Sequence, residues 1–279
     1  MKLQALKSLL IKRASKLDNP SLEVRIIIEK ACGLPLDKQI MNPSLDISQK
    51  KEKEAIEILD KRLSGYPMAY IIGEKEFYGH TFKVTPDVLI PRPDTEIIVQ
   101  KAIEVAKEKG SDNLKILDLC TGSGAIGTSI AYELDNDVFL SDISKEALDV
   151  AIYNYKNIRG KEPVAKVGSL FEPWDNHTFD IIATNPPYLT NTWYEETDMD
   201  VKKEPKLALI GFGDDGLNII RRIIELSPRY LNKDGFLLIE GDYRQMEICA
   251  KLLSLKGFKD VGIIKDLANK DRVVYGRCE

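Results

Sequence analysis

Asn185-Pro186-Pro187-Tyr188 is the stretch whose residue types and spacing are best suited to chemistry. Consecutive prolines fix φ and remove two N–H donors, so the loop is stiff and its carbonyls stand as acceptors. A planar group carrying an NH₂ can donate one hydrogen to the Asn185 side-chain oxygen and the other to the Pro186 carbonyl, with Tyr188 covering its face. A rigid turn after a strand accounts for the same residues, because Asn-Pro marks turns on its own, and the tetrapeptide alone does not separate the two.

A second constellation lies upstream. Ile116-Leu117-Asp118-Leu119 runs into Cys120-Thr121-Gly122-Ser123-Gly124, an apolar strand entering a glycine-rich turn that opens a helix. Glycines there let the backbone approach a ligand closely, a need shared by dinucleotide and S-adenosylmethionine sites. Gly122, Gly124 and Gly127 keep the spacing of a pyrophosphate turn, so spacing leaves both open. A P-loop is excluded, since no Gly-Lys-Ser/Thr follows. Asp118 tips the choice: a carboxylate just before the turn suits the ammonium of a methionine moiety, directly or through water, and is awkward beside a pyrophosphate. Asp142, ending the next strand, is placed to accept hydrogen bonds from both ribose hydroxyls of an adenosine. Its competing role is the cap of the following helix, which Ser144 can fill as well.

Alternating strand and helix signals must position these groups. Strands are expected at 115–119, 138–141, 164–167, 180–184, 236–240, 261–265 and 273–276, with helices at 125–132, 145–157, 216–226 and 243–255 among them, the pattern of a mostly parallel sheet covered on both faces. Asn185 then sits at the carboxyl end of a strand, where such sheets hold ligands. Ile90-Pro91-Arg92-Pro93-Asp94-Thr95-Glu96 reads as an extended segment ending in Asp94 or Thr95 as the cap of a helix over 96–108, with Arg92 free to reach an anion or to form a surface ion pair.

The region before it is helical. Leu3, Leu6, Leu9, Leu10, Ala14 and Leu17 predict a helix ending near Asp18. Asn19-Pro20 starts a second helix stopped by Gly33. Asp46 and Gln49 resemble the capping box of a third that ends at Gly65, with Lys50-Lys51-Glu52-Lys53-Glu54 as a solvated face. Glu76-Phe77-Tyr78 and Thr81-Phe82-Lys83-Val84 flank Gly79-His80, read as a two-residue hairpin turn with glycine first.

The 279 residues suffice for one large and one small domain, and 43% hydrophobic with 30% charged residues is an ordinary globular balance. A net charge of −4 argues against a surface-wide nucleic-acid footprint. Cys32, Cys120, Cys249 and Cys278 form no C-x-x-C, and His80 and His177 are far apart; neither a zinc site nor a disulfide scaffold is expected, and a reducing cytoplasm is. No signal peptide and no membrane span are expected.

Together Asp118-Leu-Cys-Thr-Gly-Ser-Gly124, Asp142 and Asn185-Pro-Pro-Tyr188 resemble a Rossmann-like S-adenosylmethionine methyltransferase acting on a planar nitrogen. Pro67-Met-Ala-Tyr-Ile-Ile-Gly73, Phe77-Tyr-Gly79, Val88-Leu-Ile-Pro-Arg-Pro-Asp-Thr-Glu96, Glu204-Pro205 with Ala208-Leu209, Asp215-Gly216-Leu217, Lys265-Asp266-Leu267 and Asp271-Arg272-Val273-Val274 extend the likeness over the whole chain. In this it resembles the HemK/PrmC family of release-factor glutamine methyltransferases. The resemblance implies an α/β fold: a seven-stranded, mostly parallel methyltransferase sheet over 89–279, a linking hairpin over 74–88 and an N-terminal helical substrate-recognition domain over 1–73. It implies methylation of the amide nitrogen of the glutamine in the release factors' Gly-Gly-Gln loop, with S-adenosylhomocysteine as product and no metal. Thr121, Gly122, Ser123 and Gly124 would wrap the methionine end of the cofactor, with Asp118 and Cys120 beside them. Asp142 would hold the ribose, Leu170 would lie at the adenine, and Asn185 would also border the cofactor. Asn185, Pro186, Pro187 and Tyr188 would take the glutamine, with Asn185, Pro186 and Tyr188 as the catalytic set.

Three positions depart from the family pattern. Cys120 stands where glycine is frequent, Leu170 replaces an aromatic or acidic neighbourhood, and Ile239-Glu-Gly-Asp-Tyr-Arg-Gln245 keeps Glu240 and Gln245 but displaces the usual glycine. The expected partner is a release factor, without direct contact to nucleic acid or membrane, and the expected state is a monomer. The rivals are a DNA adenine N6-methyltransferase, which uses the same tetrapeptide but needs a target-recognition region and a basic channel, and a non-catalytic ribosome- or factor-binding protein of the same fold.

Overall fold

A computed structural model describes residues 1–110, 113–136 and 138–279. These divide into two compact units, Met1–Gly73 with Met199–Lys203, and Glu74–Asp198 with Glu204–Glu279.

The first unit holds α1 (Leu3–Arg13), α2 (Pro20–Cys32), α3 (Leu36–Met41), α4 (Gln49–Leu63) and α5 (Met68–Ile72). Leu3, Leu6 and Leu10 of α1, Val24, Ile27 and Ile28 of α2 and Ala55 and Leu59 of α4 close one apolar core. Asn19 accepts from Leu22 N and Gly33 ends α2 in the left-handed region at φ 65°, both as the sequence predicts. Helix α1 ends at Arg13 and not near Asp18; the chain turns there, Leu17 N donating to Ala14 O, and Leu17 reaches the core from the turn. The expected capping box is also corrected. Ser48 caps α4 by accepting from Lys51 N, while Asp46 is drawn into an ion pair with Lys2 at 2.7 Å. The short helices α3 and α5 carry too few turns for their periodicity to be read.

The second unit opens with a hairpin, β1 (Glu74–Phe77) and β2 (His80–Lys83). Its turn residues are Tyr78 and Gly79, at φ 49° and 75°, one position earlier than expected. Positive φ at both central residues matches the right-handed strand twist, and His80 becomes a strand residue paired with Phe77. After it come α6 (Glu96–Glu108), β3 (Ile116–Leu119), α7 (Ala125–Leu134), β4 (Val138–Asp142), α8 (Lys145–Arg159), β5 (Val164–Val167), β6 (Phe179–Thr184), α9 (Asn191–Glu195), α10 (Asn218–Leu226), β7 (Leu231–Glu240), α11 (Met246–Leu255), β8 (Lys259–Lys265) and β9 (Asp271–Arg277).

The seven-stranded sheet runs in the order β5-β4-β3-β6-β7-β9-β8. It is parallel from β5 to β7, and β9 is antiparallel to both neighbours. Side chains alternate between two cores. Ile116, Ile181 and Ala183 pack on one face with α6, α7 and α8, while Leu117, Leu119 and Ile182 pack on the other with α10 and α11. Strand order reverses between β3 and β6, so their carboxyl ends diverge there and open the crevice that parallel sheets use for ligands.

Candidate active site

The crevice holds a cavity of about 280 Å³, and into it come Cys120, Thr121, Gly122 and Ser123 from the turn after β3, Asp142 from β4 and Asn185 from the end of β6. Residues more than sixty positions apart are thus gathered by strand order alone. Its other wall is built from Pro86–Leu89, Pro91, Arg92 and Thr95, with Pro205 and Leu207 opposite. For Pro86 through Leu89 the sequence offers an extended, proline-bounded stretch before a helix and, at Val88-Leu89, the start of a family-like motif, but no individual role.

The turn after β3 is organised from beneath. Asp118 is fully buried, and its Oδ2 accepts from Thr121 Oγ1 at 2.6 Å and from Gly127 N at 2.8 Å. It falls on the α7 face by strand alternation, and Gly127 must be glycine to let α7 pass: a Cβ there would stand 2.8 Å from Asp118 Cβ and 2.6 Å from Leu140 Cδ2. Asp118 lies behind the turn and not among the residues lining the cavity. Its Oδ1 has no hydrogen-bond partner among the described residues. Gly124, in the left-handed region at φ 79°, starts α7 and also stays behind the lining. Cys120 is itself left-handed at φ 60°, a conformation that costs a residue with a Cβ about 1–2 kcal/mol and that glycine would relieve. Burial pushes its thiol well above the usual cysteine range.

Burial likewise pushes the Asp118 carboxyl up to about 7, against the hydrogen bonds from Thr121 and Gly127 that pull it down. The folded-state value lies above the ordinary 3.8, so the contribution to stability is full below about pH 4 and is lost as pH rises through about 7. Asp118→Asn should remove this component. Unfolding free energies measured from pH 4 to 8 should show the variant gaining on the parent by roughly 3–4 kcal/mol across that window; parallel curves would contradict it.

Asp142 lines the cavity. Its Oδ2 accepts from Gly122 N at 2.8 Å and its Oδ1 from Ser144 N at 2.9 Å, leaving lone pairs on both oxygens. Burial pushes its carboxyl up, and the N–H groups of Ser144 and Gly122 oppose that. It is not the cap of α8, since Ser144 accepts from Ala147 N there.

Asn185 is half-buried, and its Nδ2 lies 3.5 Å from Thr95 Oγ1. Thr95 in turn donates to Glu240 Oε1 at 3.0 Å. The helix cap expected of Asp94 or Thr95 is absent, for no side chain caps α6 and a 3₁₀ turn, Pro93–Thr95, leads into it. Burial pushes the Glu240 carboxyl up to about 7, opposed by the Thr95 hydrogen bond and the charge of Arg272. Arg272 pairs with Asp266 at 2.9 Å and Asp94 at 3.2 Å, and Arg92 pairs with Glu204, which resolves its expected anion contact as an ion pair within the wall.

Pro187 lines the cavity beside Asn185, whereas Pro186 is buried and Tyr188 lies outside the lining, half-buried against the α10–α11 core. Burial pushes the Tyr188 phenol above its ordinary range. The loop is fixed by its backbone: Tyr188 N donates to Leu209 O, and Gln245 Nε2 donates to Tyr188 O at 2.9 Å and to Asp215 O at 2.7 Å. Leu170, at φ 48°, lines a second pocket with Ser169 and Phe171. Among the described residues no cluster of His, Cys, Asp or Glu could hold a metal ion, and no helix is long and apolar enough to cross a membrane.

Comparison with known proteins matches residues 3–73 to the PrmC N-terminal domain and residues 97–203 to the methyltransferase small domain. The chain is 37% identical to the release factor glutamine methyltransferase of Borreliella burgdorferi, over 91% of its own length and 88% of the relative's. It is 35% identical to that of Neisseria gonorrhoeae, over 92% and 93%. Among solved structures it resembles a T. thermophilus ribosomal RNA methyltransferase in complex with AdoMet and guanosine (TM-score 0.55, 16% identity, 74% of this chain and 50% of that one). It also resembles a methyltransferase from Pyrococcus furiosus (TM-score 0.51, 15% identity, 81% and 97%). These two structural likenesses establish the methyltransferase fold.

Proposed function

The chain belongs to the family of release factor glutamine methyltransferases, and from that premise we propose that it moves a methyl group from S-adenosylmethionine to the side-chain amide nitrogen of the glutamine in the release factors' Gly-Gly-Gln loop. The observation that carries this reading is the cavity in which the glycine turn after β3, Asp142 and Asn185 meet.

The residues suit the cofactor. A Cβ at Gly122 would meet nothing within 4 Å, so the backbone there is open to close approach by a ligand. Asp142 would accept from the ribose hydroxyls with its remaining lone pairs. The unpartnered Asp118 Oδ1 is an acceptor for the ammonium, reached through water. Bound here, S-adenosylmethionine supplies a methyl group on a positively charged sulfur. Asp142→Ala should weaken its binding by about 1.5–3 kcal/mol, the range for hydrogen bonds to a charged group; calorimetry returning an unchanged affinity would leave Asp142 as a brace of the turn.

The chain's own residues act on the amide. A primary amide nitrogen is a poor nucleophile because its lone pair is delocalised into the carbonyl. Asn185 Oδ1 and the Pro186 carbonyl accept its two hydrogens, hold it in line with the methyl and steady the positive charge that develops on it. The reaction so drawn is a direct displacement that needs neither a covalent enzyme intermediate nor a metal. Residues 1–73 serve recognition of the intact factor, a role supported by the exposed apolar side chains of Ile40 and Met41 on α3. The protein works as a monomer in the cytoplasm, without binding nucleic acid directly.

Transfer of labelled methyl to intact release factor, to its Gln-substituted variant and to duplex DNA tests the reading. Label in the intact factor alone is expected. Label in DNA would favour a base methyltransferase, and none in any substrate would favour a binding protein.

A further inference from the structure

Asn185 serves as an acceptor toward a substrate amide only when its own amide is turned with the oxygen outward. The two ends of an asparagine amide are nearly equal in size, so packing does not choose between them and hydrogen bonding must. The neighbours of Asn185 make that choice. A threonine hydroxyl carries one proton, and when Glu240 is ionised, at pH above its raised value of about 7, that of Thr95 is engaged by Glu240 Oε1 at 3.0 Å. Its oxygen then offers only lone pairs to Asn185, whose Nδ2 lies 3.5 Å away. Asn185 must answer with N–H, which leaves Oδ1 as the end of the amide turned away from Thr95, on a side chain that lines the cavity.

The arrangement is costly in stability. Thr95 is 4% and Glu240 2% exposed, and Glu240 Oε2 has no hydrogen-bond partner among the described residues. Leaving such a buried acceptor unpaired costs about 1–3 kcal/mol. The Thr95 side chain caps no helix. Thr95 Oγ1 links Glu240 to Asn185, and the charge of Arg272 also acts on the Glu240 carboxyl.

We propose that Thr95 and Glu240 are positioning residues, a one-directional hydrogen-bond relay that holds the Asn185 amide with its nitrogen toward Thr95 and its oxygen toward the reacting nitrogen. The catalytic consequence rests on the function proposed above; the relay itself does not.

Thr95→Val keeps the shape and removes the hydroxyl. It should lower kcat for release-factor methylation by 10- to 100-fold, with KM and S-adenosylmethionine affinity within threefold of the parent. Thr95→Ser, which keeps the hydroxyl, should restore kcat to within threefold. Because Thr95 acts through Asn185, Thr95→Val added to Asn185→Ala should cost less than a further twofold. Normal turnover in Thr95→Val, or losses that multiply in the double variant, would overturn the proposal. A readout without substrate accompanies it: the Asn185 side-chain amide protons, identified in ¹H–¹⁵N spectra by their loss in Asn185→Ala, should exchange with solvent at least tenfold faster in Thr95→Val. Equal exchange in parent and variant would refute the relay. Should the parent transfer no methyl to release factor, the proposed function falls while the exchange rates still decide the relay.

Discussion

Replacing Asn185 by alanine is expected to lower single-turnover methyl transfer to release factor by about 10²–10³, the usual loss for one preorganised polar contact to developing charge. Cofactor affinity should stay nearly intact. The glycine turn and Asp142 stand on β3 and β4, and neither makes a hydrogen bond to Asn185. Asn185→Asp separates the ways in which the side chain could matter. A carboxylate still accepts from the substrate but has no N–H for the Thr95 oxygen, whose proton is held by Glu240. Partial activity, above alanine and below asparagine, is the expected result. Full activity in the alanine variant would mean that the loop is only a turn.

The second large effect lies away from the chemistry. Gly216 has φ 72°, and a Cβ on it would stand 2.2 Å from Tyr188 O and 3.1 Å from Gln245 Nε2. The first of these is backbone and cannot swing aside. Gly216→Ala therefore combines left-handed strain of about 1–2 kcal/mol with overpacking of about 1–3 kcal/mol, and relief requires the Asn185–Tyr188 loop to shift. A displacement of about 1 Å at a positioning group costs about 10² in rate. Thermal melts should show a lowered Tm, and turnover should fall by about that factor while S-adenosylmethionine affinity holds. Unchanged turnover in a folded Gly216→Ala protein would show that the loop tolerates the shift.

Strands with a continuous apolar run and a clear punctuation after it were legible. The run 180–184 before Asn185 and the run 115–119 before the glycine turn both stand in the sheet within a residue of expectation. Legibility failed where a local signal competed with a distant partner. Thr95 has the residue type of a helix cap, yet its hydroxyl goes to Glu240, 145 residues on, and no local pattern announces that. Asp46 lost the capping role to Ser48 because Lys2, far off in sequence, took its carboxylate. The hairpin turn was misplaced by one because a tyrosine at positive φ is unusual; Tyr78 N is held there by Glu96 Oε1 at 3.0 Å. Asp118 shows a subtler limit. Its type and position suggested a ligand group, but alternation along β3 turns it toward α7, where its first duty is to the turn that the ligand would meet.

The most direct test of the account is to locate the methyl group. Release factor treated with this protein and S-adenosylmethionine, digested and sequenced by tandem mass spectrometry, should carry one added methyl on the side-chain amide of the Gly-Gly-Gln glutamine and nowhere else, and the Asn185→Ala protein should leave that residue almost unmodified over the same interval. A methyl group on any other residue, or an equal yield from the Asn185→Ala protein, would contradict it.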